Sequence, residues 1–391
     1  MEGTPYGNAL RRESRCLMTH KERVIAALNH KEPDRVPVDV WGSSSRLCNK
    51  LYLEIAEAQG WKELGPVVKA SRSGDYVDER VSELVGSDFR HTNAGKPKHF
   101  KKYMNDKGFE ISEWGYGSKW VNGESVIAYN PLAEAEVSDI EKHTWPDTGD
   151  PGRLEGIPEQ VKKWHDENEY FITTTSVVSG LMLDLGQFLR GFEQFFMDMY
   201  IDPEFAHTLI GKMTDVLIEL HVNFLKPIGP YIGWVEFSSD HGMQDRPLLS
   251  PEMYRTFLKE PYRRLFNEVR KAAPGAKIWM HCCGSVRELI PDFIDIGIDV
   301  LNSLQPKAAG MDSFELKREF GNEIIFHGGL DIQGGINGSV EQAAAEARKR
   351  IDAFGPGGGY IFAPSNHYMQ DVPLENFFAL YLTALEYGRY K

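Results

Sequence analysis

The sequence predicts an α/β chain of the (β/α)8 TIM-barrel type, with a β-hairpin insertion and an N-terminal extension. Three observations point there. Short apolar runs alternate with longer amphipathic ones, about eight such units follow one another, and they fill most of the 391 residues. Strands that alternate with helices imply parallel pairing, and about eight units favour a closed barrel over an open doubly wound sheet.

The chain opens with a stretch that has no pattern, residues 1–18, read as a loose arm ahead of a barrel domain over 19–391. Its polar composition, with no apolar run before a small-residue cleavage site, is not that of a signal peptide. Thr19-His20-Lys21-Glu22 then fits a capping box, with Val24, Ile25 and Leu28 at helical spacing behind it. Val36–Val40 reads as the first strand and Asp88–Thr92 as a weaker second one. Clearer strands follow at Tyr170–Val178, Tyr231–Phe237, Lys277–His281, Ile298–Asn302, Glu323–His327 and Gly359–Ala363. Asp202-Pro203-Glu204 and Ser250-Pro251-Glu252 each place a capping side chain before a proline, as helix starts do. Residues 108–135 break the rhythm and read as the hairpin excursion.

Bulk composition excludes several function classes. A net charge of −13 disfavours nucleic acid as a partner, since phosphate backbones need a basic face. No apolar run approaches the roughly 18 residues of a membrane span. Cys16, Cys48, Cys282 and Cys283 are too few and too unevenly spaced for a disulfide scaffold, so a reducing, cytoplasmic setting is expected. A homo-oligomer is compatible with the sequence.

In a parallel barrel, chemistry sits where strands end. Those positions hold Glu236 and Asp240, then His281 and Cys283, then Gln305, His327 with Asp331, and Asn366 with His367. In the extended run Trp279–Cys283, residues two apart share a face, so His281 and Cys283 look into one pocket and Cys282 looks away. Imidazole plus thiolate is a zinc pairing that needs a third ligand from a distant loop. Pro364–His367 is the best donor loop, and His367 is the better ligand because an amide oxygen binds zinc poorly beside an imidazole. Three other signals are set aside. Gly355–Gly359 precedes a strand and reads as a turn, Phe188–Met199 as core at helical spacing, and Lys96–Lys102 as solvated surface.

Several segments in order carry a family resemblance. They are Met18–Val24, Asn29–Pro37, Ser250–Tyr254, His281–Ser285, Leu304–Pro306, Ala309–Asp312, His327–Gln333 and Asp371–Asn376. Together the chain from about Met18 onward resembles the uroporphyrinogen-decarboxylase superfamily. Decarboxylases of that superfamily carry an arginine-rich Arg-Gln-Ala-Gly-Arg segment after the first strand, where this chain reads Val40-Trp41-Gly42-Ser43-Ser44-Ser45-Arg46. The resemblance is therefore closer to the corrinoid-dependent methyltransferase branch, whose His-x-Cys-Gly segment supplies two zinc ligands. That branch implies Zn2+ on His281, Cys283 and His367, with catalytic support from Glu236, Asp240 and Asp331. Gap-free spacing to Asp371 instead puts Asn366 at the third ligand position.

Trp41, Gln305, His327, Asn366 and Tyr368 are the expected substrate contacts, with Trp41, Trp114 and Tyr368 as an aromatic lining suited to a methoxylated aromatic. The resemblance also implies methyl transfer between a small methylated compound, or a thiol, and a corrinoid. No Asp-x-His-x-x-Gly corrinoid motif occurs, so a separate corrinoid protein is the expected partner. Tetrapyrrole decarboxylation is the alternative.

Overall fold

The computed structural model describes residues 18–64, 78–121 and 124–391; the expected arm over 1–18 therefore lies almost wholly outside the described residues, as do Cys16 and Gly123. Strands β1 (Phe89–Thr92), β6 (Phe171–Thr175), β7 (Trp234–Ser238), β8 (Lys277–Cys282), β9 (Val300–Ser303), β10 (Ile325–His327) and β11 (Tyr360–Ile361) form one parallel sheet in that order. Sequential parallel strands with helices between them give the layout of a TIM-like barrel. Val36–Val40, the expected first strand, bridges both ends of the sheet. Asp39 N donates to Phe362 O at 2.9 Å and Asp88 N donates to Val38 O at 3.0 Å, and Val38 pairs in parallel with Phe362.

The helices begin as their sequences dictate. Thr19 and Glu22 form the capping box of helix His20–Leu28. Asp202 and Ser250 accept amide hydrogens at the starts of Pro203–Leu225 and Pro251–Phe257, each with proline in the first turn. Helix His20–Leu28 sits under the sheet, where Val24 and Leu28 join an apolar floor with Phe89, Phe171, Trp234, Trp279, Val300, Ile325 and Ile361. A fully buried side chain of this size stabilises the fold by about 1.5–3 kcal/mol. The same end is tied by charge. Asp88, wholly buried, takes Arg23 at 2.6 Å and Arg35 at 2.8 Å. Burial works against its ionisation, but Arg35, His20 and Arg23 hold the carboxyl well below its usual range.

The excursion is larger than the expected hairpin. Strands β2 (Tyr103–Met104), β3 (Glu110–Ile111), β4 (Gly117–Val121) and β5 (Glu124–Tyr129) form a four-stranded antiparallel sheet. The first two strands escape a sequence reading because two-residue pairings show no alternation. The three demoted signals are placed as follows. Gly357–Gly359 all turn with positive φ ahead of β11, and a Cβ on Gly358 would lie 2.4 Å from Lys31 O. In the Phe188–Met199 stretch Phe195 and Met199 are buried, although Phe192 and Met197 are exposed. Lys96, Lys98, Lys101 and Lys102 are exposed.

Candidate active site

Inward positions of the strands change character within one pleat. The floor residues Phe89, Phe171, Trp234, Trp279, Val300 and Ile325 are each followed, two residues later, by His91, Thr173, Glu236, His281, Asn302 and His327. Because side chains alternate across a strand, these polar groups stand directly above the apolar floor. All are buried. Buried polar groups need partners, and here they supply one another. His91 Nε2 meets Asp39 Oδ1 at 2.7 Å, and its Nδ1 lies 2.7 Å from Thr173 Oγ1 and 3.2 Å from Glu236 Oε1. Glu236 also accepts from Thr173 Oγ1 and Trp234 Nε1, both at 2.9 Å, and from Ser43 N at 2.6 Å.

Burial alone would lower the pKa of His91, but Asp39 and Glu236 reverse this and push it up to about 10. Burial opposes ionisation of Glu236, yet His91, Trp234 and the Ser43 amide bring its pKa down to about 2. Glu236 is thus a fixed carboxylate. Its oxygens are occupied by the donors Thr173 Oγ1, Trp234 Nε1 and Ser43 N.

At the C-terminal mouth, His281 Nε2 and Cys283 Sγ lie 3.2 Å apart. Cys282 is buried on the opposite face, where its Sγ accepts from His241 N at 3.2 Å, as strand alternation requires. Asp240, from the loop after β7, receives the Cys283 amide at 2.8 Å and stands 3.8 Å from His281 Nε2. Two glycines allow that loop to press against Cys283. A Cβ on Gly242 would lie 2.4 Å from Cys283 O, and one on Gly284, at φ +83, would lie 2.5 Å from Met243 O.

Among the described residues, Asp240, His281 and Cys283 form one of two groups whose ligand atoms all lie within 4.8 Å. The other, His99 with Asp147 and Asp150, is a loop device in which Asp150 accepts the amides of Lys98, His99 and Gly152. The donor set of the first group suits zinc. Tetrahedral bonds of about 2.0 Å to nitrogen and 2.3 Å to sulfur put the two donors about 3.5 Å apart, close to the separation present.

The remaining expected residues divide. Gln305 Nε2 lies 3.6 Å and Asn366 Nδ2 3.5 Å from Cys283 Sγ, so both belong to its surroundings. His367 lines the same cavity as His281, but its Nδ1 accepts from Arg46 N at 3.3 Å, and Asp240 takes its place in the close ligand group. Burial, with His281 and Arg46 nearby, brings the pKa of His367 down to about 3. Asp331 caps its own loop, accepting Gln333 N at 2.8 Å and pairing with Lys307 at 3.2 Å.

Three expected substrate contacts are internal instead. Trp41 donates to Asp78 O, the Tyr368 hydroxyl donates to Tyr381, and His327 is fully buried with both ring nitrogens engaged. None of them lines the cavity. That cavity, about 390 Å³, is walled by Ser43, Ser44, Arg46, Glu236, His281 and His367 with the Thr175–Ser179 stretch, and among the described residues no Phe, Tyr or Trp lines it. Trp114 and Tyr116 instead line a neighbouring groove that shares Val177–Ser179.

Asp39, His91, Thr173 and Asn302 were not singled out from sequence. Asp39 carries one signal, a polar side chain inside the otherwise apolar Val36-Pro37-Val38-Asp39-Val40, whereas His91 and Thr173 sit among other polar residues, Arg90-His91-Thr92 and Thr173-Thr174-Thr175, and carry none.

Residues 114–387 match the family model for uroporphyrinogen decarboxylase. The chain belongs to the uroporphyrinogen decarboxylase family. Its layout is similar to a methyltransferase from Methanosarcina mazei, with a TM-score of 0.61 and 19% identity over 95% of this chain and 99% of that one. At that identity the likeness concerns the fold. Xylanase 10B from Thermotoga maritima, with a TM-score of 0.38 and 10% identity over 61% of this chain and 81% of that one, is too distant to bear on either fold or function. Among curated proteins no sequence matches the chain. Among the described residues, no helix of this family member is long and apolar enough to cross a membrane.

Proposed function

We propose that this uroporphyrinogen decarboxylase family member is a zinc-dependent methyltransferase. It moves a methyl group between a small methylated compound, or a thiol, and a corrinoid carried by a partner protein. The observation that carries the reading is the pair His281 Nε2 and Cys283 Sγ at 3.2 Å, beside a polar cavity at the strand ends that His281 lines. The Methanosarcina methyltransferase of similar layout supports the choice of reaction.

His281, Cys283 and Asp240 would hold the metal, with His367 the alternative third ligand from the same cavity. Bound zinc supplies Lewis acidity toward the substrate heteroatom. Gln305 and Asn366 flank the thiolate with amide hydrogens, and Glu236 gives the cavity a fixed negative charge. Arg46 is a cavity cation able to orient an anionic substrate group. The polar wall favours a small polar methyl compound over an aromatic ether bound between rings. We also take Val36–Val40 as the eighth strand of a closed barrel.

Tetrapyrrole decarboxylation is the second reading, favoured by the family match. Among the described residues Arg46 is the one arginine lining the cavity, too few to anchor the several carboxylates of uroporphyrinogen. Metal analysis combined with methyl transfer to or from a corrinoid protein separates the two readings. About one zinc per chain, lost on Cys283→Ala, supports the first; a metal-free chain that releases coproporphyrinogen supports the second.

A further inference from the structure

We propose that Asn302, fixed by the ring and the backbone oxygen of His327 beside Asp39, sets the proton position on His281, so that these three are positioning residues for the metal site. The inference deepens the zinc reading and rests on it only for its metal readout.

The chain of bonds allows one arrangement of protons. Asp39 sits between two imidazoles, with Oδ1 at 2.7 Å from His91 and Oδ2 at 2.9 Å from His327 Nε2. An ionised carboxylate only accepts, so His327 Nε2 carries a proton and donates it. The backbone oxygen of His327 can only accept, so the Asn302 amide turns its hydrogens this way and the Nδ1 they meet is bare. That nitrogen accepts from Asn302 Nδ2 at 3.0 Å, and the same amide nitrogen donates to His327 O at 3.1 Å. Flipping the Asn302 amide would set its oxygen against both of those acceptors, so the flip is excluded.

Asn302 Oδ1 is thereby turned toward Ser44 Oγ, at 2.8 Å, and His281 Nδ1. His281 must donate from Nδ1, which leaves Nε2 as the nitrogen facing Cys283 Sγ and the cavity. A metal-binding histidine generally needs such a partner on its other nitrogen. Here the partner is an amide whose direction is set by His327. Every member is nearly or wholly buried, with His281 the most exposed at 7%, so water does not compete for these bonds.

The test pairs two variants with two readouts. Asn302→Leu removes both the acceptor for His281 and the donor to His327 at similar volume. Asn302→Asp keeps the acceptor and removes the donor. Zinc affinity, measured by competition with a chromophoric chelator, should fall about 10–100-fold in Asn302→Leu and stay nearer to wild type in Asn302→Asp. Nitrogen-15 NMR, with the His327 ring assigned from its loss in His327→Gln, should show His327 neutral and protonated on Nε2. In Asn302→Asp it should become an imidazolium between two carboxylates, a change that a purely structural role would not produce.

Wild-type zinc affinity in a folded Asn302→Leu chain overturns the proposal. So does a wild-type His327 protonated on Nδ1, or one that stays neutral in Asn302→Asp. If the wild-type chain takes up no zinc, the proposed function fails by itself, and the His327 spectra decide the relay. They decide it equally if Asn302→Leu does not fold.

Discussion

Replacing His91 by glutamine removes the one cation between Asp39 and Glu236, and the cost follows from the geometry. All three side chains are 1% exposed, and the ring nitrogens lie 2.7 Å and 3.2 Å from the two carboxylates. Removing one partner of a buried ion pair costs about 3–5 kcal/mol. Unfolding entropy of about 2.1 cal/mol/K per residue over 391 residues gives about 0.8 kcal/mol/K, so His91→Gln should lower the melting temperature by about 4–6 °C at pH 7.

The pH dependence has a definite sign. The His91 pKa is raised from its ordinary value to about 10. Its contribution is therefore full below pH about 6.5, declines by about 1.4 kcal/mol per unit above that, and is gone past about 10. The gap between wild type and variant should narrow from pH 7 to about 9.5, read by thermal melts across a buffer series. A variant that melts within about a degree of wild type at pH 7, or a gap independent of pH, would refute the imidazolium between two carboxylates.

The other expectations concern the mouth of the barrel. Purified Cys283→Ala should lose its zinc while Cys282→Ala keeps it, because the two thiols face opposite sides of β8; equal metal content in both variants would count against the site. Asp240→Ala should weaken zinc more than His367→Ala if the close ligand group is the working one, and the reverse order would restore His367 as third ligand. Gly284→Ala, strained at φ +83 and facing Met243 O, should cost at least about 1–3 kcal/mol and disturb metal binding by moving Cys283; unchanged melting would be inconsistent with the packed loop crossing. Uroporphyrinogen should not be decarboxylated, and appearance of coproporphyrinogen at an enzyme-like rate would reverse the ranking of the two chemistries.

What the sequence by itself determined is local. Alternation along Trp279–Cys283 separated the roles of Cys282 and Cys283, and capping chemistry at Thr19, Asp202 and Ser250 marked helix starts, because both depend on neighbours within a few residues. The strand–helix rhythm likewise implied a parallel sheet, since a parallel pair needs a crossover between its strands.

What only the tertiary structure decided is which side chains meet across the curled sheet. Asp39, His91, Glu236, Asn302 and His327 come from five strand segments, and no spacing in the chain relates one to another. Trp41 and Tyr368 likewise gave no sign that their rings would be spent on packing, because burial depends on neighbours far away in sequence. Asp240 reaches Cys283 because two glycines let separate loops touch, a contact between backbones that side-chain patterns do not encode.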